Sequence, residues 1–168
     1  MSIPGVLTEP VGIAGNVVGP EYFTTMGTAI LRGRDFTKSD SNGTAIVNEQ
    51  MARRFWGEPG RAIGQLFRVN GKDRQIVGVV ETGKYQWLLE QPTPFFFLCT
   101  PVQPILLIET AGDPAAMAGA VRKTIREEFP GFTLVTLVTL RQQMALALFL
   151  WQAASWGPSQ SWGSFSRA

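Results

Sequence analysis

The sequence of 168 residues has no histidine and one cysteine, Cys99. Histidine is the usual general base near neutral pH and a common metal ligand. Its absence excludes Ser-His and Cys-His catalysis and histidine-ligated metal sites. A single cysteine has no partner for a disulfide within the chain. Cys99 lies in FFFLCTP, and we interpret it as a small hydrophobic residue buried in a strand.

Charged residues and long apolar runs are also scarce. Charged residues make up 17% of the chain and the net charge is +2. The basic residues are scattered, which does not fit a nucleic-acid-binding surface. The apolar run MALALFLW is much shorter than the ~20 residues that cross a bilayer. MSIPGVLTEP lacks the basic and apolar parts of a signal peptide. The sequence as given predicts a soluble chain.

Local signals for turns and helices are strong. The pair Asn70-Gly71 stands between apolar runs and predicts a β-hairpin. Asn48 is expected to cap a helix that follows a short strand. The longest predicted helix covers residues 113–129, with Asp113 as its cap and Pro114 in the first position. We expect Met117, Val121 and Ile125 of this helix to pack against a sheet, since they repeat every four residues.

The order of predicted elements indicates an α+β fold. A strand, helix, strand order can be read in residues 13–32 and again from residue 104 to 140, where PILLIET and FTLVTLVTL are the predicted strands. A β-rich insert lies between them. The sequence therefore predicts two split βαβ-like units and a smaller β-rich lobe.

Two groups of charged residues have both a functional and a structural interpretation. Arg32 and Arg34 flank Gly33 and could bind an anion, but the segment lacks the several glycines and the helix start of a phosphate-binding loop. Nearby Asp35 and Asp40 can neutralise the arginines, so we interpret the segment as a domain edge. Glu49 and Arg53 form a helix-stabilising pair. We predict no catalytic, cofactor-binding or metal site and no cofactor.

Five segments in order resemble the extracytoplasmic core domain of MacB-like and FtsX-like permeases, which are membrane subunits of ABC transporters. They are VVGPEYFTTMGTAILRGRDFTKSD, AIVNEQMARRFWGEPGRAIGQLFRV, RQIVGVVETGKY, ILLIETAGDPAAMAGAVRKTIREEFP and TLRQQMA. Together they cover roughly residues 16–147. The resemblance implies a porter-like lobe of βαβ repeats, a smaller β-rich lobe and no catalytic site.

The resemblance also implies a location and partners. The domain would lie on the periplasmic face of the bacterial inner membrane and transmit conformational change or dock a partner. Its partners would be membrane-spanning helices, a cytoplasmic ATPase domain or subunit, and an extracytoplasmic protein. Two alternatives stay open: a small hydrolase or lyase that uses carboxylates such as Asp35 or Glu81, and a stand-alone ligand-binding module.

The expected organisation follows from the same resemblance. Family members carry a transmembrane helix before the equivalent of Asn16 and a long apolar span after that of Leu150, whereas this chain ends WQAASWGPSQSWGSFSRA. We therefore expect a fragment of a permease, and a homo-oligomer, since a missing neighbour would leave a sheet edge unpaired. The predicted segments are an irregular N-terminal part (1–15), part of the porter-like lobe (16–35), the smaller lobe (36–94), the second βαβ unit (95–147) and an aberrant tail (148–168).

The sequence contains neither GxxxxGK[ST] nor another phosphate-cradling loop. We therefore expect the purified chain to hydrolyse no ATP. A steady-state phosphate-release assay checks this. Turnover that exceeds a buffer blank and persists through a second purification would contradict it.

Overall fold

The computed structural model describes residues 1–4, 10–40, 43–85, 90–99, 105–131 and 136–145. The chain forms two compact units, Met1–Ile108 and Glu109–Ala168. The first unit contains a six-stranded sheet and three short helices, and the second contains one long helix. The elements in chain order are β1 (Ala14–Val18), α1 (Tyr22–Thr25), β2 (Ile30–Gly33), β3 (Thr44–Asn48), α2 (Glu49–Trp56), α3 (Pro59–Ala62), β4 (Leu66–Val69), β5 (Lys72–Val80), β6 (Phe95–Cys99) and α4 (Pro114–Glu128).

The sheet has the order β1-β6-β3-β5-β2, and β4 pairs with the first half of β5. The β1–β6 and β3–β5 pairs are parallel, while β3–β6, β2–β5 and β4–β5 are antiparallel. Parallel neighbours need a crossover, and α2 begins the connection from β3 to β5. The mixture of helices with one mixed sheet confirms the predicted α+β class.

Each face of the sheet is covered by different elements. In β3, Val47 joins one core cluster, to which α2 contributes Met51. The neighbouring Ile46 joins a second cluster, to which α1 contributes Phe23. Successive residues of a strand point to opposite faces, so β3, with both faces covered, is a nearly continuous apolar run. Cys99 is buried in the second cluster, as the sequence predicted.

Several local predictions are confirmed. Asn48 caps α2 by accepting a hydrogen bond from the Met51 N–H at 2.9 Å. The Asn70-Gly71 turn joins β4 to β5, and both residues have positive φ, 50° and 73°. Positive φ at both central residues is what a type I′ hairpin requires.

The strand order separates the two strands of the first predicted βαβ-like unit. β1 and β2 flank α1 in sequence and lie at opposite ends of the strand order, with β6, β3 and β5 between them, so the unit is split by intervening strands. β2, from the predicted segment 16–35, pairs with β5, from the predicted segment 36–94. β6, from the predicted segment 95–147, pairs with β3, also from the segment 36–94. Strands from residues 16–35, 36–94 and 95–147 thus share one sheet.

The described parts of two predicted strands of the second βαβ unit are not strands. Residues 105–110 have no regular structure, and Ile105 and Leu106 are each 70% exposed. Residues 136–139 are likewise irregular and a helix begins at 140, while 132–135 lie outside the described residues. An apolar run becomes a strand only when a neighbouring backbone supplies its hydrogen bonds. None of the described strands pairs with either segment.

The long helix is capped as predicted, and its side chains are exposed or partly buried. The Asp113 carboxylate accepts from the Ala115 N–H at 3.1 Å, and Pro114 begins the helix. No residue of α4 is buried, and Met117 is 45% exposed. Val121 and Ile125 are partly buried, and the packing of these three residues against a sheet stays a prediction. Their four-residue spacing gives α4 one apolar side, but spacing does not determine what covers it.

Close backbone approach explains two glycines in the sheet. Gly33 ends β2 with φ +75° and is paired with Gly78 of β5. A Cβ at Gly33 would collide with the Val77 carbonyl oxygen and lie 2.8 Å from Ile63 Cδ1. A Cβ at Gly78 would collide with the Arg34 carbonyl oxygen. Both strands therefore need glycine where they meet.

Replacing Gly33 with alanine is expected to lower the free energy of unfolding more than Gly71→Ala does. Gly71 has φ +73° but open space around it, so its alanine costs about 1–2 kcal/mol for the backbone conformation alone. Gly33→Ala adds overpacking and should cost about 2–5 kcal/mol in total. Urea unfolding of both variants measures the difference. Equal losses would contradict the close approach.

Candidate functional site

The Arg32-Gly33-Arg34-Asp35 segment leaves β2 and turns into a loop closed by a charge pair. Arg34 Nη1 and Nη2 donate to the two carboxylate oxygens of Asp40 at 2.6 and 3.0 Å. The Thr37 N–H and hydroxyl each donate to the same carboxylate at 2.8 Å. Asp40 is 8% exposed, so the loop encloses its carboxylate. Arg32 is exposed and donates to the Leu31 carbonyl.

This geometry decides between the two interpretations of the arginine pair. Arg34 already holds a bidentate carboxylate, so its guanidinium is not available to an external anion. Hydrogen bonds from Arg34 and Thr37 hold the pKa of the Asp40 carboxyl well below its usual range. The carboxyl stays ionised and keeps the loop closed. The segment is thus a structural turn at the end of β2.

A second polar centre lies where β3 passes into α2. Asn48 is fully buried, and its side-chain oxygen accepts from the Met51 N–H at 2.9 Å and from the Phe95 N–H at 3.0 Å. Its side-chain nitrogen donates to the Thr93 carbonyl at 2.7 Å. One amide therefore caps α2 and fixes the start of β6. The sequence predicted the cap. No local pattern predicts the hydrogen bonds to Thr93 and Phe95, which lie more than forty residues further along the chain.

Aromatic rings cover the sheet beside this centre. The Tyr85 ring stacks on Phe95 with centroids 4.1 Å apart and meets Phe97 edge-on. Phe23 of α1 also meets Phe97 edge-on, at 4.8 Å. Burial raises the pKa of both Tyr85 and Tyr22. Their hydroxyl groups therefore stay neutral at physiological pH, which suits a packed aromatic layer.

The carboxylates of the enzyme hypothesis do not meet. Glu81 Oε1 accepts from the Ala29 N–H, just before β2, while Asp35 lies beyond the other end of β2 and accepts from the Phe36 N–H. Partial burial raises the pKa of Asp35, opposed by the Phe36 hydrogen bond. Paired-carboxylate catalysis needs two such groups around one reacting atom. These two carboxylates lie too far apart along β2 to act as a pair.

The described part of the chain was also searched for metal-binding groups and membrane spans. It holds no cluster of three histidine, cysteine, aspartate or glutamate residues that fits a metal ion. None of its helices is long and apolar enough to cross a membrane.

Comparison with protein families places this sheet in a known group. The model of the MacB-like periplasmic core domain matches residues 4–128. The chain belongs to this family. The match covers every strand of the sheet and extends to the last residue of α4.

Solved structures provide a further comparison for this MacB-like periplasmic core domain. The periplasmic region of MacB from Actinobacillus actinomycetemcomitans is 15% identical, with a TM-score of 0.47 over 66% of this chain and 54% of that one. The extracellular domain of the ABC-type transporter YknZ from Gram-positive bacteria is 17% identical, with a TM-score of 0.43 over 55% and 46%. The chain thus spans about half the length of these two structures. No curated protein matches the chain.

One residue of the MacB-like domain was not singled out from the sequence. Arg74 of β5 is only 6% exposed, and its Nε and Nη1 have no hydrogen-bond partner among the described residues. The alternation in KDRQIVGVV carries a signal for it, because Arg74 and the buried Ile76 fall on the same side of the strand.

Replacing Asp40 with asparagine should remove part of the acid sensitivity of the domain. Because the folded pKa of Asp40 lies below its unfolded value of about 3.9, the folded state binds fewer protons, so this stabilisation is complete above about pH 4 and is lost as the pH falls further. At neutral pH, Asp40→Asn should cost about 1–3 kcal/mol, since it removes an enclosed carboxylate that accepts hydrogen bonds from Arg34 and Thr37.

Asp73→Asn is the matched control, because Asp73 also pairs with an arginine, Arg68, but both side chains are about half exposed. Solvent screening should make the effect of this change small. Urea unfolding of both variants across the acid range measures the contrast. Equal sensitivity of the two variants would contradict the role of Asp40.

Proposed function

We propose that this chain is a non-catalytic extracytoplasmic domain of an ABC transporter permease that transmits conformational change or docks a partner protein. The observation that carries the proposal is the family match over residues 4–128. In such a transporter ATP hydrolysis takes place on the cytoplasmic side, so a domain on the outer side contributes through its rigidity and its surfaces.

The described structure is consistent with a mechanical role. The parallel and antiparallel pairs join six strands, and apolar clusters cover both faces of the sheet. Asn48 ties α2 to β6, and the Arg34–Asp40 pair closes the loop after β2. These polar contacts are internal, so they hold the domain in one shape. A domain of this kind moves as a body when an attached element moves.

The partners follow from the same proposal. Membrane-spanning helices and a cytoplasmic ATPase domain or subunit would complete the transporter. The domain itself would lie on the periplasmic face of the inner membrane. A homo-oligomer would place two copies of the domain together. β1 supports this, because among the described strands it pairs with β6 alone and Val17 on it is 47% exposed. An edge strand of this type offers backbone groups to a second chain.

A single introduced thiol tests the location. Lys38 is exposed in the turn after β2, while the native Cys99 is buried. In cells that make the membrane protein carrying this domain, with other accessible cysteines removed, Lys38→Cys should react with a membrane-impermeant maleimide while the inner membrane is intact. The parent protein with Cys99 alone should not react. Labelling of Lys38→Cys that needs lysis of the inner membrane would contradict the location.

The same thiol tests the transmission of motion. A spin label at Lys38→Cys in the purified transporter should give a dipolar signal between two copies. ATP with vanadate, which traps the hydrolysis cycle, should change the label-to-label distance, because motion at the cytoplasmic ATPase would reach the domain. An unchanged distance would contradict transmission, and the absence of any dipolar signal would contradict the homo-oligomer.

A further inference from the structure

Arg74 differs from three arginines of the first unit that form ion pairs. Arg34 pairs with Asp40, Arg53 with Glu49 and Arg68 with Asp73. Those three side chains are at least half exposed, yet each has a carboxylate. Arg74 is far more enclosed, and no carboxylate among the described residues bonds to it.

The surroundings of Arg74 are apolar. It stands directly across from Phe67 of β4, which is fully buried, and on the same side of β5 as Ile76, also fully buried. Both belong to the core cluster beneath α2 and α3. The nearest acid in sequence, Asp73, points to the other side of the strand and holds Arg68 at 2.7 Å. The Arg74 guanidinium therefore enters an apolar region without a counter-charge.

Such a placement is unfavourable in the isolated domain. A guanidinium keeps its charge at any pH a protein experiences and presents five N–H donors. Enclosed donors without acceptors and an enclosed charge without a partner both oppose folding. A methionine or leucine would fill the same space without either penalty. An added acceptor of negative charge would offset both penalties.

The end of the sheet provides a route for that acceptor. β3 begins opposite Gln75, so among the described strands only β4 flanks Arg74. Arg74 is also close to the Asn70-Gly71 turn. The β3 side of Arg74 is thus not covered by a described strand, which is where the proposed acceptor would approach.

We propose that Arg74 anchors a carboxylate-binding site at the hairpin end of the sheet. A carboxylate matches the planar guanidinium with two parallel charge-assisted hydrogen bonds. Phe67 and Ile76 provide apolar walls that suit a carboxylate carried on a hydrocarbon stem, either a free organic acid or a glutamate or aspartate side chain of a docking segment. This site goes beyond the transporter role and does not depend on it.

Thermal unfolding with acetate as the probe tests the site. At constant ionic strength, exchange of chloride for acetate should raise the melting temperature of the wild-type chain. Arg74→Met should melt higher than the wild type in chloride, because it removes the unpaired charge, and should gain nothing from acetate. Arg61→Met, which changes an exposed arginine of the same unit, should respond to acetate as the wild type does.

Several outcomes would overturn the proposal. One is the absence of an acetate-specific rise in the wild type; another is a rise that survives in Arg74→Met. Stabilisation by inorganic phosphate but not by acetate would overturn the assignment to a carboxylate. If Arg74→Met failed to fold, NMR of the wild-type chain would decide, through the chemical shift of the Arg74 Nε–H signal. A shift that changes with acetate and saturates supports the site. An unchanged shift overturns it.

A second arm of the experiment distinguishes the two sources of the carboxylate, a free organic acid and an acidic side chain of a docking segment. Acetate alone reports a free acid, and a short peptide with one glutamate between apolar residues reports a docking segment. Saturation by the peptide at much lower concentration than by acetate supports a segment; equal saturation supports a free acid. Arg74→Lys keeps the charge but loses the planar pair of donors, so its response to either probe should be several-fold weaker.

Discussion

The described fold depends most on Asn48, a fully buried amide at the end of the central strand β3. Its oxygen accepts from the first turn of α2 and from the first residue of β6, and its nitrogen donates to the chain just before β6. A buried polar group of this kind is favourable only when its hydrogen bonds are satisfied. Asn48 therefore ties the start of β6 to the point where β3 enters α2, and β6 in turn supports the edge strand β1.

The charged groups follow a related rule with one exception. Asp40 is enclosed and has two guanidinium donors, a backbone donor and a hydroxyl, so its charge is compensated by its own loop. Arg74 is enclosed to a similar degree without compensation among the described residues. The satisfied groups maintain the local structure, whereas the unsatisfied charge of Arg74 is the basis of the proposed carboxylate site.

Three candidate residues from the sequence make local structural contacts. Arg34, Asp35 and Glu81 each bond to residues of the first unit, around the two ends of β2. Their positions secure the edge of the sheet beside β5. The charged residues that the sequence suggested as anion-binding or catalytic candidates lie at the ends of strands and in turns.

The sequence alone determined what depends on near neighbours. The Asn70-Gly71 hairpin, the Asn48 and Asp113 caps, the buried Cys99 and the family resemblance all rest on short segments, because turn and cap geometry is set within a few residues. The order of strands, the place of β1 and β2 at opposite edges and the second set of Asn48 bonds required the tertiary structure. The irregular structure of residues 105–110 was also decided by the tertiary structure. Their apolar composition fits a strand, but the hydrogen bonds of a strand come from a neighbouring strand. Arg74 is a further example. The alternating pattern of β5 in the sequence puts Arg74 on the same side as Ile76, but only the folded chain shows that no described carboxylate bonds to Arg74.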